Sequence, residues 1–216
     1  MARVITGLDA GRVRENAERI REELAAAAGD RPPPELLAAV KYVPLEELEV
    51  LAQAGVTLLG ENRAQDLQAK AEAHPGAFRW HFIGQLQSRK VKDVLPHVEL
   101  IHSVASDSAL RKLGQHGTPD TEVLVEVDVA GEEAKAGIPP AELGGFIARC
   151  PVTVAGLMAM PPFTEDPEAS RPHFAALREL AREHGLRELS MGTSQDYAVA
   201  AGEGATIVRV GSLLYA

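Results

Sequence analysis

Residues 188–212 read ELSMGTSQDYAVAAGEGATIVRVGS: two short apolar runs, Glu188–Gly192 and Thr206–Gly211, flank a segment in which Ser194 is placed to cap a helix. A strand, a helix and a second strand require parallel pairing, because a helical crossover returns the chain to the same end of the sheet. The alternation extends back through the chain. Six further apolar runs precede these two, at Leu36–Val40, Val56–Gly60, Phe78–Gly84, Glu99–Ala105, Glu122–Ala130 and Val152–Met160. Helix signals separate them: Pro44 with Gly55 beyond the end, Asn62 opening Ala64–Ala73, Ser106 before Leu110–Gln115, Pro139–Pro140 before Leu143–Ala148, and Ala169–His184 closed by Gly185. At the start of the chain Val13, Ala17, Ile20 and Leu24 recur at helical spacing over Arg12–Ala28, behind Asp9 as cap. Eight such units predict an α/β chain folded as one (β/α)8 TIM-type barrel domain over residues 1–216, near the lower size of that fold, roughly 200 residues. A doubly wound open sheet is the competing architecture.

Composition narrows the function. The 22 Lys and Arg against 31 Asp and Glu leave a formal charge of −9, which argues against a phosphate-backbone partner, whose recognition rests on clustered cations. The single cysteine, Cys150, excludes an intrachain disulfide and fits a reducing compartment; next to Pro151 it reads as a small buried residue. No apolar run approaches the roughly 18 residues of a spanning helix. The opening MARVITGLDAGRVREN lacks the hydrophobic stretch of a secretory signal, so a cytoplasmic protein with no membrane partner is expected.

In a barrel the functional groups gather at the carboxyl ends of the strands. Lys41 directly follows Leu36–Val40, where the barrel mouth would partly desolvate its amine and favour nucleophilic use; the plain alternative is a solvated surface lysine. Strand seven ends in Met191–Gly192–Thr193–Ser194 and strand eight in Arg209–Val210–Gly211–Ser212. Loops after these two strands commonly hold a phosphate in such barrels. Gly211 permits close backbone approach, and Ser194 and Ser212 offer hydroxyl donors; a helix cap and a turn glycine are the plain alternatives. An amine opposite a phosphate cup suggests a phosphorylated aldehyde held as a Schiff base, with pyridoxal 5′-phosphate the obvious candidate. A metal-dependent hydrolase would instead use His81, His102, Glu126 and Asp128, although no His-x-His pair is present. Glu126 and Asp128 share a face, since the valines at 123, 125, 127 and 129 take the other; a role as hydrogen-bond acceptors at the mouth is the simpler reading. His81 reads as packing, with a place near the cofactor as its alternative.

Several blocks carry a family resemblance. Leu37–Ala38–Ala39–Val40–Lys41–Tyr42–Val43–Pro44, Gly60–Glu61–Asn62 with Gln65, Trp80–His81–Phe82–Ile83–Gly84–Gln85–Leu86–Gln87–Ser88 with Lys90, Gly156–Leu157–Met158–Ala159–Met160, Leu189–Ser190–Met191–Gly192 and Val208–Arg209–Val210–Gly211 resemble the pyridoxal phosphate homeostasis proteins of the YggS/PROSC family. The likeness runs from about residue 10 to 216, and the Trp-His-Phe-Ile-Gly block is its most specific part. It implies a single barrel of the alanine racemase N-terminal-domain type carrying pyridoxal 5′-phosphate. Lys41 matches the Schiff-base lysine, Ser194, Gly211 and Ser212 the phosphate positions, Arg209 the arginine facing the pyridine nitrogen, and Asn62 a polar residue near the cofactor. A permanent cation at that nitrogen disfavours its protonation and weakens the ring as an electron sink. The chain departs from the pattern at Val40 (usually Ser or Thr), at Thr193 and Gln195 (usually Met and Asp), at Arg89 (usually Asn) and at Asp128 (usually Asn).

The resemblance implies a cofactor carrier in intracellular homeostasis and delivery, with little or no catalysis. The related two-domain racemases use a second base from another domain, and none of Tyr42, Tyr197 and Tyr215 can be given that role from sequence. A low-turnover racemase or lyase is the alternative. Pyridoxal phosphate-dependent apoenzymes are the expected partners, and a monomer is the expected state.

Overall fold

Helix α1 (Ala10–Ala28) begins where its cap was expected: the Asp9 carboxylate accepts the Arg12 N–H at 2.8 Å, and Val13, Ala17, Ile20 and Leu24 are its buried stripe. Gly29 ends it at φ 63°, a left-handed conformation that glycine adopts without Cβ strain. The computed structural model describes residues 4–131 and 137–216, so Met1–Arg3 of the amino-terminal stretch lie outside the described residues. After α1 come β1 (Glu35–Ala39), α2 (Leu48–Gln53), β2 (Leu58–Glu61), α3 (Ala64–Ala73), β3 (Arg79–Phe82), α4 (Val91–Val94), β4 (Leu100–Val104) and α5 (Asp107–His116). They are followed by β5 (Glu122–Glu126), α6 (Leu143–Ala148), β6 (Thr153–Met158), α7 (Arg171–Glu183), β7 (Glu188–Thr193), α8 (Tyr197–Gly202) and β8 (Ile207–Val210).

All neighbouring strands pair in parallel, and β8 pairs with β1 from Glu35↔Ile207 to Ala38↔Val210, closing the barrel. Closure decides against the open sheet. Each expected strand is present, its ends within two residues of the apolar run or trimmed further inside it. Ser106 caps α5 as expected, its hydroxyl accepting the Ala109 N–H at 3.2 Å. Helix α4 was not expected: four residues between two short 3₁₀ turns carry no readable periodicity. Among the described residues one α-helix follows each of β1 to β7, and α1 packs against α8, α2 and β1, filling the remaining place outside β8 and β1.

Strand alternation divides the core in two. Leu36, Ala38, Leu59, Trp80, Val123 and Val208 pack beneath the helices, with Cys150 half-buried against the same cluster. Leu37, Leu58, Leu100, Leu124, Ala155, Met158 and Ile207 form a separate cluster inside the barrel. The lumen is tight there: a Cβ on Gly60 would stand 2.3 Å from Leu37 Cδ2. One inward step toward the carboxyl ends, Leu100 is succeeded by His102, Leu124 by Glu126 and Ile207 by Arg209, so a polar layer lies above an apolar plug.

Candidate functional site

Arg209 on β8 is the charge at the centre of this polar layer and is 6 % exposed. A buried guanidinium is tolerable only with its donors satisfied. Nη1 donates to Ser190 O at 2.9 Å and to the Ser190 hydroxyl, and Nη2 donates to Ala159 O at 3.0 Å and to Met160 Sδ at 3.1 Å. Burial draws its pKa down to about 10, against the opposing pull of Glu126 and Asp196, so it stays a cation at neutral pH. Burial likewise pushes the Glu126 carboxyl up, opposed by Arg209.

The loops after β7 and β8 meet beside this cation. Ser194 was expected to cap the helix after β7, but it does not. Asp196 holds the cap position of α8, and Ser194 Oγ instead accepts the Gly211 N–H at 3.2 Å, joining the two loops. The Asp196 carboxylate secures the first loop, accepting the Thr193 N–H at 2.7 Å and the Ser170 hydroxyl at 2.8 Å. Gly192 turns the strand end at φ 91°, with Ala200 Cβ 2.5 Å from where a Cβ would stand. Ser212 is exposed and lines a cavity of about 710 Å³ with Arg12 and Tyr42.

Lys41 and Asn62 sit at the ends of β1 and β2. The expectation that the Lys41 amine is partly desolvated is corrected. The chain turns immediately after Val40, with the Val43 N–H bonded to Val40 O at 3.0 Å, and this leaves Lys41 exposed on the rim. Its ammonium lies 4.8 Å from the centroid of the Tyr42 ring, in a cleft of about 500 Å³ shared with Arg63 and Asp66. Asn62 does not cap α3, whose cap position belongs to Arg63 without a side-chain bond. Its Oδ1 is buried and has no hydrogen-bond partner. An orphaned buried acceptor costs about 1–3 kcal/mol, so the site presents an acceptor to an incoming donor.

A buried ion pair missed by sequence reasoning fixes both positions. Glu61, fully buried at the end of β2, meets Lys70 Nζ from α3 at 2.5 Å. Lys70 also donates to Val40 O at 2.8 Å, while the other oxygen of Glu61 accepts the Asn62 N–H at 2.7 Å. The pair therefore fastens the backbone one residue before Lys41 and at Asn62. A glutamate ending an apolar run and a lysine nine residues later carry no sequence signal that they meet.

The alternative metal set is not assembled. Among the described residues no three His, Cys, Asp or Glu side chains converge. His81 and His102 bond to each other at 2.9 Å, and His102 bonds to Ser190 Oγ at 2.8 Å. Asp128 closes a local turn by accepting the Gly131 N–H at 2.9 Å.

The alanine racemase N-terminal domain family matches residues 8–216. The pyridoxal phosphate homeostasis protein of Aquifex aeolicus is 41% identical over 212 residues, covering 92% of this chain and 93% of that one. Among solved structures, an unknown protein from Bifidobacterium adolescentis aligns with a TM-score of 0.86 at 33% identity, covering 99% of this chain and 98% of that one. PipY of Synechococcus elongatus, solved with pyridoxal phosphate bound, aligns with a TM-score of 0.78 at 30% identity, covering 94% of this chain and all (100%) of that one.

Proposed function

Because the chain belongs to the pyridoxal phosphate homeostasis proteins, built on the alanine racemase N-terminal domain, we propose that it holds pyridoxal 5′-phosphate at its barrel mouth and governs the supply of free cofactor. The observation that carries this reading is the meeting of Ser194 Oγ and the Gly211 N–H, 3.2 Å apart, beside the buried cation of Arg209. A hydroxyl and a backbone amide on converging loops suit a phosphate, and the donor set fits an anionic ring compound. When bound, the cofactor supplies an aldehyde to an amine.

The residues divide the work. Lys41 is the anchor, as a Schiff base formed on an amine that the rim leaves accessible. Ser194, Gly211 and Ser212 take the phosphate, Asn62 Oδ1 accepts a donor from the ring, and Arg209 faces the pyridine nitrogen. As a guanidinium has no acceptor and keeps its charge, Arg209 keeps that nitrogen unprotonated, and the site grips the cofactor without activating it for carbanion chemistry. The domain, residues 1–216, then acts as a carrier for pyridoxal phosphate-dependent apoenzymes in the cytoplasm. The barrel wall is covered by helices of its own chain, which supports a monomer. Among the described residues no helix is long and apolar enough to cross a membrane.

One observation favours the low-turnover racemase or lyase: Tyr42 stands under the Lys41 ammonium, whereas the Tyr197 hydroxyl is bonded to Glu23 and that of Tyr215 to Ala39 O at 3.3 Å. The test is the absorbance spectrum of the protein and of Lys41→Ala with added pyridoxal phosphate, then borohydride reduction and peptide mapping. A yellow protein whose reduced adduct maps to Lys41 is expected; an adduct that persists in Lys41→Ala overturns the anchor. Amino-acid racemisation at ordinary enzyme rates would overturn the carrier reading.

A further inference from the structure

We propose that His81, His102 and Ser190 form a one-directional hydrogen-bonded row through the barrel lumen that positions Arg209 for the ring of its ligand. The inference deepens the cofactor-binding reading and rests on it. Arg209 fixes the direction because a guanidinium only donates. Its Nη1 donates to Ser190 O at 2.9 Å and to the Ser190 hydroxyl oxygen, so the hydroxyl proton must point elsewhere. The acceptor it finds is His102 Nδ1 at 2.8 Å. His102 Nδ1 is therefore bare and its proton is on Nε2, which faces His81 Nδ1 at 2.9 Å. That nitrogen is bare in turn, so His81 carries its proton on Nε2, directed at the Glu99 carboxylate 4.0 Å away at the opposite rim.

The surroundings agree with two neutral rings. His81 is 3 % exposed and His102 fully buried. Burial pulls His81 down to about 4 despite the nearby carboxylates Glu99 and Glu35, with Arg79 pulling the same way; His102 is also held well below the usual imidazole range by burial, His81 and Arg209. At neutral pH the His81–Glu99 contact is thus no ion pair, and 4.0 Å is too long for a hydrogen bond, so the direction of the row is set at the Arg209 end. The row has a consequence for the mouth. Three bonds to oxygen hold the guanidinium, and the fourth, from Nη2 to Met160 Sδ at 3.1 Å, goes to a weak acceptor on a side chain that is 51 % exposed. This is the donor that a better acceptor, such as a ring nitrogen, captures.

The test begins on the cofactor-free full-length protein, by ¹⁵N spectroscopy of the histidine rings at neutral pH. Both rings are expected as the Nε2–H tautomer; an Nδ1–H on His102 overturns the proposal. Two variants test the direction. Ser190→Ala cuts the row beside Arg209 and is expected to release His102 into both tautomers, whereas His81→Asn cuts it at the far side and leaves His102 unchanged. The reverse pattern, or no response to Ser190→Ala, overturns the proposal. With pyridoxal phosphate added, Ser190→Ala is expected to shift the absorption maximum and raise the half-saturating concentration at least threefold, and Ser190→Thr to restore both; a spectrum identical to wild type overturns the positioning role. Failure of the cofactor reading looks different, since wild-type protein then shows no cofactor band while the tautomers still stand or fall alone. Should Ser190→Ala not fold, the wild-type tautomers and the His81→Asn response decide.

Discussion

At Gly211 the demands of folding separate from those that the proposed phosphate role would make. A Cβ built there meets Ala39 Cβ and Ala39 O at 3.6 Å, ordinary van der Waals contact, and its φ is not among the positive values. The fold has room for a methyl group, so under the proposed phosphate role the need for a bare backbone would lie on the ligand side of the Gly211 N–H. Gly211→Ala is therefore expected to change unfolding free energy by less than about 1 kcal/mol and to weaken pyridoxal phosphate binding severalfold or more. Urea unfolding and a spectral titration on the same sample check this; a large loss of stability with affinity intact would show that glycine serves packing. The sequence made the position of Gly211 legible because a strand end on a barrel mouth follows from alternation alone. It did not reveal that Ser194 turns toward Gly211 rather than capping α8, since a hydroxyl before a helix serves either purpose and only the closing of the two loops selects one.

Elements were legible where periodicity is long and opaque where a contact is made across the chain. The stripe on α1 and the eight apolar runs declared themselves, while α4 is too short to show a period. The Glu61–Lys70 pair joins the end of β2 to α3, and its spacing fits no helical or strand repeat. Its energetics follow from burial: Glu61 is fully buried and Lys70 is 6 % exposed, so removing one partner strands the other charge without water. Lys70→Met is expected to cost about 3–5 kcal/mol in urea unfolding. Adding Glu61→Gln to it should return part of that loss, because the stranded charge is then gone. The double variant should nevertheless bind pyridoxal phosphate more weakly than wild type, as the Val40 carbonyl, one residue before Lys41, loses the Lys70 donor that holds the end of β1. A double variant no more stable than Lys70→Met would mean the pair contributes only its packing.

At the scale of the whole molecule, closure of eight parallel strands brings loops distant in sequence to one mouth, and the chain's overall charge sets how an anion reaches it. Lys41, Asn62, Ser194 and Gly211 are spread over residues 41–211 and lie at the carboxyl ends of β1, β2, β7 and β8. The chain carries −9, whereas the mouth region offers Lys41, Arg12 and Arg63 against Asp9 and Asp66, and the cofactor is itself an anion. Two fields of opposite sign therefore act over different ranges. At about 0.01 M salt the Debye length is roughly 30 Å, comparable with the molecule, and the full negative charge opposes approach. At about 0.15 M it falls to roughly 8 Å, which leaves the local excess of positive charge felt at the rim. Raising salt over this interval is expected to speed capture of pyridoxal phosphate in stopped-flow absorbance, by about twofold or more. A rate that instead falls steadily with salt would mean that the rim cations steer the cofactor even at long range, and that the acidic exterior faces away from its path.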